Sequence, residues 1–551
     1  MDNKNLANIL FKEDLKSPEY YEQQYPPRDL KEGTAVTRVS PSPTGFLHMG
    51  TLYISMIDSI VARQTGGVFY LRIEDTDKKR EVENGIRDIV TNLERYGIKA
   101  DEGFRSDESQ FGDYAPYKQS ERGQIYRTFV KYLVENQFAY PCFCSEDELN
   151  ATREVQEKQK LRTGYYGKWT KCSELSLSET IDKINEGKTF VIRLKSNGNE
   201  TKRVFFDDVI KGRIEMPEND EDFVIQKSDG IPTYHFAHAI DDRLMRTTHV
   251  IRGDEWIAST PKHLQLFGIF GWKPPKYAHV APIMKEENGK KRKISKRKDP
   301  EAAVEYYFSK GYPKESVMEY LMTISNSNFE DWRHANKNED INKFPFSLKK
   351  MSISGALFDL VKLNDVSKNV ISLFTAEYLT ELLLLYTKQY DTEFYNLISN
   401  DKERLIKILK IDRGGNKPRK DIAFLAEIKE YYNYFYNELY KPDYTLPENI
   451  NKDDAANILK TYTKIYNEND DKDTWFQKIK SLCEPHSFSP DVKAYKENPQ
   501  AFKGHVGDVS TIVRIAITAR TNTPDLHAIM AVLGEQTVVD RINDCVDFIC
   551  L

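Results

Sequence analysis

Residues 34–65 constrain the fold most. Thr34 to Ser40 is a short apolar run of strand length, and Pro41, Pro43 and Gly45 interrupt regular structure directly after it. From Leu52 onward, Met56, Ile57, Ile60 and Val61 recur at helical spacing. The order is therefore strand, punctuated turn, helix, with His48 at the helix opening. Such a helix start presents unpaired backbone N–H groups and the positive end of the helix dipole at the C-terminal edge of a strand. That is where α/β folds bind anionic groups such as a triphosphate. His48 offers a donor to a phosphate oxygen, and Gly50 lets a nucleotide approach the backbone. A plain βα turn with an incidental histidine fits the same letters, because glycine-containing βα loops are frequent.

The segment that follows continues the pattern. A Gly66-Gly67 turn leads to the strand Val68 to Ile73, and Glu74-Asp75-Thr76-Asp77 closes it. This is βαβ order, which predicts a parallel pair with a right-handed crossover. Further strands are expected at Thr248–Ile251 and Tyr277–Ile283, separated from the first unit by a long insertion at roughly 105–230 with helical and hairpin patches. From about 345 onward the chain is expected to be helical. TAEYLTELLLLYTKQY, RLIKILKI, AFLAEIKEYYNYFYNELY and NILKTYTKIY all carry apolar residues three and four apart. The expected organisation is a helical extension over 1–33, an α/β domain over 34–345 and an all-α region over 346–551.

Composition narrows the class. At 551 residues the chain is too long for one ordinary domain. A net charge of -5 rules out an overall basic character, so any nucleic-acid contact has to be local. No apolar run approaches the roughly 20 residues of a membrane span. The polar, mixed-charge N-terminus reads as neither a signal nor a transit peptide. Six cysteines in a chain of this length make no disulfide framework, which points to a reducing cytoplasm. A monomer without membrane contact is expected.

Far downstream, Lys290, Lys291, Arg292, Lys293, Lys296, Arg297 and Lys298 form a basic run. A mobile loop with two ammonium groups can clamp charge that develops on a departing pyrophosphate. A solvated basic loop or a non-specific nucleic-acid patch is the plainer alternative.

Together these segments resemble the class I aminoacyl-tRNA synthetases. Ser40-Pro41-Ser42-Pro43-Thr44-Gly45-Phe46-Leu47-His48-Met49-Gly50 is similar to the HIGH signature in the form carried by the glutamyl and glutaminyl enzymes. Met49 stands where the strict motif has Ile. Thr51 stands where it has a final His, which the glutamyl group usually lacks. Lys293-Ile294-Ser295-Lys296-Arg297 resembles the KMSKS loop. FYLRIEDTDKKR and IPTYHFAHAIDDRLMRTTHVIRGDEWIASTPKHLQL match the subgroup as well. The helical C-terminal part resembles the anticodon-binding region of bacterial-type glutamyl enzymes, whereas glutaminyl enzymes usually carry β-barrels there.

The resemblance implies a Rossmann-type parallel-sheet catalytic domain with an insertion, followed by an all-α anticodon-binding region. It implies ATP with Mg²⁺, L-glutamate and tRNA(Glu) as reactants, with tRNA needed even for activation. His48, Lys293 and Lys296 would be catalytic. Pro41, Ser42, Pro43, Thr44, Gly45, His48, Gly50 and Lys296 would bind ATP. Arg38, Ser42, Glu74, Tyr234, His238 and Arg252 would bind glutamate, with Glu74 on the ammonium group. A guanidinium fork at 252 pairs with a side-chain carboxylate and poorly with a carboxamide. A structural salt bridge from Arg252 to Asp254 or Glu255 is the alternative. His238 departs from the Asn often found in the family.

Cys142-Phe143-Cys144, with Tyr165-Tyr166-Gly167 and Cys172, is similar to a zinc element of some bacterial glutamyl enzymes. Soft thiolates at such spacing suit Zn²⁺. Trp169 stands where the last cysteine is usual, and the spacing leaves the fourth ligand open, with Tyr166 a candidate. Inert buried thiols fit the same letters. Lys410 to Lys420 is a basic Gly/Pro loop suited to phosphate contact or to a solvated connector. Val513–Arg520, Pro524-Asp525-Leu526 and Leu533-Gly534 resemble the family's terminal anticodon-binding helices, with Ala519 where Gly is commoner. A glutamine-charging sister enzyme, a silent RNA-binding paralogue and a small nucleotidyltransferase are the competing readings.

Overall fold

Two short helices open the chain, α1 (Asn3–Leu10) and α2 (Pro18–Gln24), each capped by a side chain, Asp2 and Ser17. The computed structural model describes residues 2–45, 47–76, 82–295, 297–415 and 417–550. It forms two compact units: Met1–Tyr306 with Met318–Asp359, and Tyr307–Val317 with Leu360–Leu551.

In the first unit, β1 (Val36–Val39) leads through the Pro/Gly turn to α3 (Met49–Thr65), then to β2 (Val68–Leu71). The two strands are parallel, with Val36 opposite Val68 and Val39 opposite Leu71. Gly66 ends α3 in the left-handed region at φ 67 and frees the chain to turn. A Cβ on Gly67 would lie 1.9 Å from the Ala35 carbonyl oxygen, so only glycine fits beside β1. α4 (Gly85–Arg95) follows, and α5 (Gly123–Glu135) falls within the expected insertion. The insertion also holds an antiparallel three-stranded sheet of β3 (Ala139–Cys142), β4 (Val191–Leu194) and β7 (Val224–Gln226). Between β4 and β7 lies the hairpin β5 (Arg203–Asp208) and β6 (Gly212–Pro217).

The chain then returns through α6 (Tyr234–Leu244) to β8 (His249–Gly253), α7 (Thr260–Ile269) and β9 (Lys276–Val280). β8 and β9 are parallel, with Arg252 opposite His279. The Thr248 N–H donates to the Val36 carbonyl (3.0 Å), which ties the run into β8 to β1. The insertion's hairpin joins this sheet too, since Tyr277 pairs with Asp208. The expected strand Tyr277–Ile283 is split at Pro282. β9 ends at Val280, and β10 (Ile283–Glu287) starts a hairpin with β11 (Lys290–Lys293). Proline removes a ladder donor and favours such a break.

The N-terminal residues belong to this first unit. α1 buries Leu6 and Ala7, α2 buries Tyr21, and α1 packs on α5. Arg28 makes a two-pronged contact with Glu102 (2.6 and 2.8 Å), and Glu22 receives Arg243 (2.8 Å) and Arg246 (2.8 Å).

The unit boundary differs from the expected 345. Ala356 and Leu357 pair with Ile283 and Met284 on β10, and the Asp359 N–H donates to the Tyr320 hydroxyl (2.7 Å). Those bonds hold residues 346–359 to the first unit. Residues 307–317 belong to the second, where the Leu425 N–H donates to the Gly311 carbonyl (2.9 Å) and the Tyr312 hydroxyl to Asn364 (2.5 Å).

The second unit has no strand among its described residues. Ala376–Tyr390, Lys402–Lys410 and Lys452–Ile465 are helices, as the apolar spacing predicts, and Thr375, Asp401 and Asn451 cap them. Their apolar faces meet Val506–Thr518 and Glu535–Cys550 in one core that includes Leu379, Leu383, Ile408, Tyr462, Ile512 and Ile542. AFLAEIKEYYNYFYNELY departs from expectation: only Glu427–Tyr431 is α-helical, followed by a short 3₁₀ turn. Tyr432, Tyr434, Phe435 and Tyr436 are all buried. Burial of nearly consecutive aromatic residues is incompatible with one helical face, so packing overrides the periodicity. No helix among the described residues is long and apolar enough to cross a membrane.

Candidate active site

Arg38 lies on β1, Glu74 just beyond β2, and Arg252 near the end of β8, so the parallel strands deliver all three at their carboxyl ends. A cavity of about 250 Å³ opens there. Its walls include Arg38, Ser42, Glu74, Tyr234 and Arg252, five of the six residues expected to hold an amino acid. Pro41 and Thr51 line it from the turn and the first turn of α3. Trp256 adds an aromatic wall, its ring 4.2 Å from that of Tyr234.

His238 is the sixth, and it does not line the cavity. It sits one turn after Tyr234 on α6, fully buried, with its ring stacked behind that of Tyr234 at 5.8 Å. Nδ1 is 2.8 Å from Asp242 Oδ2, a close polar contact without full hydrogen-bond geometry. Burial pushes the imidazole down to about 4, so it is neutral. α-Helical spacing puts 234 and 238 on one face, with Tyr234 the residue at the cavity wall.

Beneath the cavity lies a buried charge cluster. Arg72 donates to Asp242 (2.7 Å) and to Glu74 (3.1 Å), Arg38 donates to Asp242 (3.3 Å), and Arg122 donates to Asp241 (2.7 Å). Tyr126 and Gln119 complete the Asp241 carboxylate at 2.8 and 2.9 Å. Three guanidinium groups thus face three carboxylates. Removing one partner from such a cluster leaves a buried charge unmatched, at a cost of about 3–5 kcal/mol. Burial raises Glu74 above the ordinary carboxylate range, and Arg72 and Arg38 oppose that shift.

Arg252 has a different environment. It is 5% exposed, and its partners are His279, His263, Thr260 and the Trp256 carbonyl, all neutral. The alternative salt bridge is absent: Asp254 pairs with Lys211 (3.1 Å) and Glu255 with Lys293 (3.4 Å). No carboxylate lies within ion-pair distance of Arg252 among the described residues. The pocket thus holds one guanidinium already matched, Arg38, and one awaiting a counter-charge.

His48 caps α3, its Nδ1 accepting from the Gly50 N–H (2.9 Å), which puts the ring proton on Nε2. Pro43, Thr44, Gly45 and Gly50 belong to the same turn and helix start but do not line the cavity. Phe46 and Lys296 lie outside the described residues, as do Asp77 to Glu81. Lys293 ends β11 and reaches Glu255, itself a wall residue. Arg292 is engaged internally, gripping Asp299 with both nitrogens (2.6 and 2.8 Å).

In the insertion, Cys142, Cys144 and Cys172 come together, their sulfur atoms all within 4.8 Å of one another. The fourth polar atom at the cluster is the Tyr165 hydroxyl, 3.5 Å from Cys142 Sγ and 3.4 Å from Cys144 Sγ. Tyr166, the sequence-level candidate, instead donates to the Arg162 carbonyl (2.6 Å). In the cluster by itself, a hydrogen bond from Cys172 holds the Cys142 thiol low, while burial pushes Cys144 and Tyr165 up and the bond to Cys142 pushes Cys172 up, so the cluster favours one thiolate. Three sulfurs at this spacing suit zinc, with the Tyr165 hydroxyl beside them.

In the second unit, part of the basic loop turns inward. Arg413 donates to the Ile371 carbonyl (2.6 Å), and Arg419 grips Asp421 (2.6 Å). Lys410, Lys417 and Lys420 are exposed, and Asn416 lies outside the described residues. Ala519 ends its helix in the left-handed region at φ 54, which explains why glycine suits that place.

Residues 34–365 match the family described as "tRNA synthetases class I (E and Q), catalytic domain". The chain belongs to the class I tRNA synthetases of the glutamate and glutamine group. Residues 403–546 of this synthetase match an anticodon binding domain. It is 51% identical over 546 residues to a glutamate–tRNA ligase of Clostridium perfringens, covering 98% of this chain and 100% of that one. It is 49% identical over 544 residues to one of Acetivibrio thermocellus, covering 98% and 100%. A crystal structure of a glutamate tRNA ligase from Elizabethkingia meningosepticum in complex with its amino acid superposes with a TM-score of 0.74. It is 25% identical and covers 93% of this chain and 99% of that one. The motif segments had located the strand ends of this synthetase. Asp208 and His279 lie outside those segments, and their contacts join distant parts of the chain.

Proposed function

We propose that this synthetase ligates L-glutamate to the 3′ end of tRNA(Glu) through a glutamyl-adenylate, consuming ATP and releasing AMP and pyrophosphate. The observation that carries this reading is the buried Arg252 in the cavity wall with only neutral partners. The side-chain carboxylate of glutamate supplies the missing counter-charge, whereas a carboxamide leaves the guanidinium unmatched. Glu74 receives the substrate ammonium and Tyr234 covers the methylene chain. The free α-carboxylate then attacks the α-phosphorus of ATP, and the bond to pyrophosphate breaks. The chemistry is positional and electrostatic. The α3 N-terminus with His48 steadies the triphosphate, and Lys293 and Lys296 take up charge on the leaving pyrophosphate, with Mg²⁺ bound to the nucleotide. The terminal ribose hydroxyl of tRNA next attacks the anhydride carbonyl, and AMP departs with the bonding electron pair, its phosphate oxygen taking up the hydroxyl proton. The helical unit binds the anticodon end, with Lys410, Lys417 and Lys420 on phosphates.

Exchange of labelled pyrophosphate into ATP tests this directly. Exchange should require both glutamate and tRNA; exchange driven by a different amino acid would overturn the assignment.

Cys142, Cys144 and Cys172, with Tyr165 beside them, would hold a structural zinc ion, which would cross-link β3 to residues 165–172. Elemental analysis should find about one zinc per chain, lost in Cys144→Ser together with thermal stability but with little change in KM for glutamate. Metal-free wild-type protein of undiminished stability would contradict this.

A further inference from the structure

Arg252 is held from behind by a chain of hydrogen bonds. Its Nε–H donates to His279 Nε2 at 3.0 Å. A guanidinium only donates, so Nε2 of His279 accepts and the ring proton sits on Nδ1. Nδ1 lies 2.7 Å from Asp208 Oδ2 and donates to it. Asp208 is itself fixed, accepting the backbone N–H groups of Ile210 (3.0 Å), Lys211 (2.8 Å) and His279 (3.0 Å). His279 is 0% exposed, and burial holds it below the ordinary imidazole range, in keeping with a neutral ring.

The sheet register makes this chain. Arg252 on β8 is directly opposite His279 on β9, and Tyr277 on β9 pairs with Asp208 on β5. Tyr277 and His279 lie on one face of β9, their rings stacked 5.8 Å apart, with the guanidinium 4.8 Å from the Tyr277 ring. On the other side His263 Nδ1 accepts from Nη1 (3.2 Å), and Thr260 accepts from Nη2 (3.1 Å). The fork is therefore oriented by acceptors that bring no charge to it. A carboxylate in direct contact would have held the fork equally well, but it would have cancelled the charge the ligand needs.

We propose that Asp208 and His279 are positioning residues that aim the Arg252 fork at the substrate's side-chain carboxylate and so set both glutamate affinity and the preference for glutamate over glutamine. Neither touches substrate. Asp208 fixes the tautomer and tilt of His279, and His279 fixes the guanidinium, the arrangement by which outer partners orient a metal-ligating histidine. The insertion's hairpin thereby contributes to amino-acid choice. This inference rests on the glutamate reading above.

Steady-state aminoacylation of wild type, His279→Leu, His279→Gln and Asp208→Asn tests it, with KM for glutamate and for ATP, kcat and melting temperature measured for each. His279→Leu removes the acceptor and should raise KM for glutamate by about 10- to 100-fold, with KM for ATP changed less than about twofold. Its ratio of kcat/KM for glutamate over glutamine should fall in parallel. His279→Gln, whose amide oxygen reaches the Nε2 position, should recover most of the loss. Asp208→Asn keeps shape and an acceptor but not the charge, and should fall between wild type and His279→Leu. Equal changes in both KM values, or no rescue by glutamine in a variant that folds, would overturn the proposal. If His279→Leu does not fold, Asp208→Asn decides: an unchanged KM for glutamate overturns the proposal. A wild type that charges no glutamate would overturn the underlying reading as well, whereas an active wild type with unaffected variants overturns the positioning role alone.

Discussion

Arg252→Gln is expected to lower kcat/KM for glutamate by about two to three orders of magnitude while leaving KM for ATP within about twofold. The substitution keeps an amide donor for one imidazole and removes the charge. What is lost is a desolvated, charge-assisted contact between guanidinium and carboxylate, worth about 2–5 kcal/mol, and each ~1.4 kcal/mol is a factor of ten. Discrimination against glutamine should narrow by a similar factor, because an amide at 252 has no reason to prefer a carboxylate. Arg38 cannot substitute for it, because its guanidinium is already engaged with Asp242, 3.3 Å away. Steady-state kinetics with both amino acids checks this. An unchanged ratio between them would move specificity to another residue.

The second large effect is expected at Lys296. Lys296→Ala should slow adenylate formation by about 10²–10³-fold, the usual consequence of deleting one group that stabilises charge only in the transition state. The expectation rests on the Lys293-Ile294-Ser295-Lys296-Arg297 segment and on the hairpin that precedes it, whose last residue, Lys293, reaches the cavity wall at Glu255. Folding stability should hardly change, so that a slowed rate reports on the chemical step. Single-turnover measurement of adenylate formation separates this step from tRNA charging. A near-normal rate would remove Lys296 from the clamp.

The sequence was most legible where backbone chemistry dictates local form. Proline and glycine mark the turn after β1, helical spacing marks α3, and together they place His48 at a helix start, where the structure has it. Arg38, Glu74 and Arg252 were named on segments that resemble the family, and each lies near the end of a strand, at one cavity. His238 was named from the family resemblance, and helical spacing does not reveal that Tyr234, on the same face, is the one at the cavity wall. The pair Asp208 and His279 was invisible for a related reason. Seventy-one positions separate them, and only the register between β5 and β9 joins them. Tyr165 rather than Tyr166 at the thiols is a one-residue difference decided by local backbone conformation. The aromatic run at 431–436 was read as helical because spacing was counted without asking how many consecutive rings the core would take.

The measurement that bears most directly on the whole account is charging of bacterial tRNA with labelled glutamate and labelled glutamine in parallel reactions. The account predicts incorporation of glutamate alone. Incorporation of glutamine would contradict it, because a buried guanidinium with only neutral partners is built for a carboxylate.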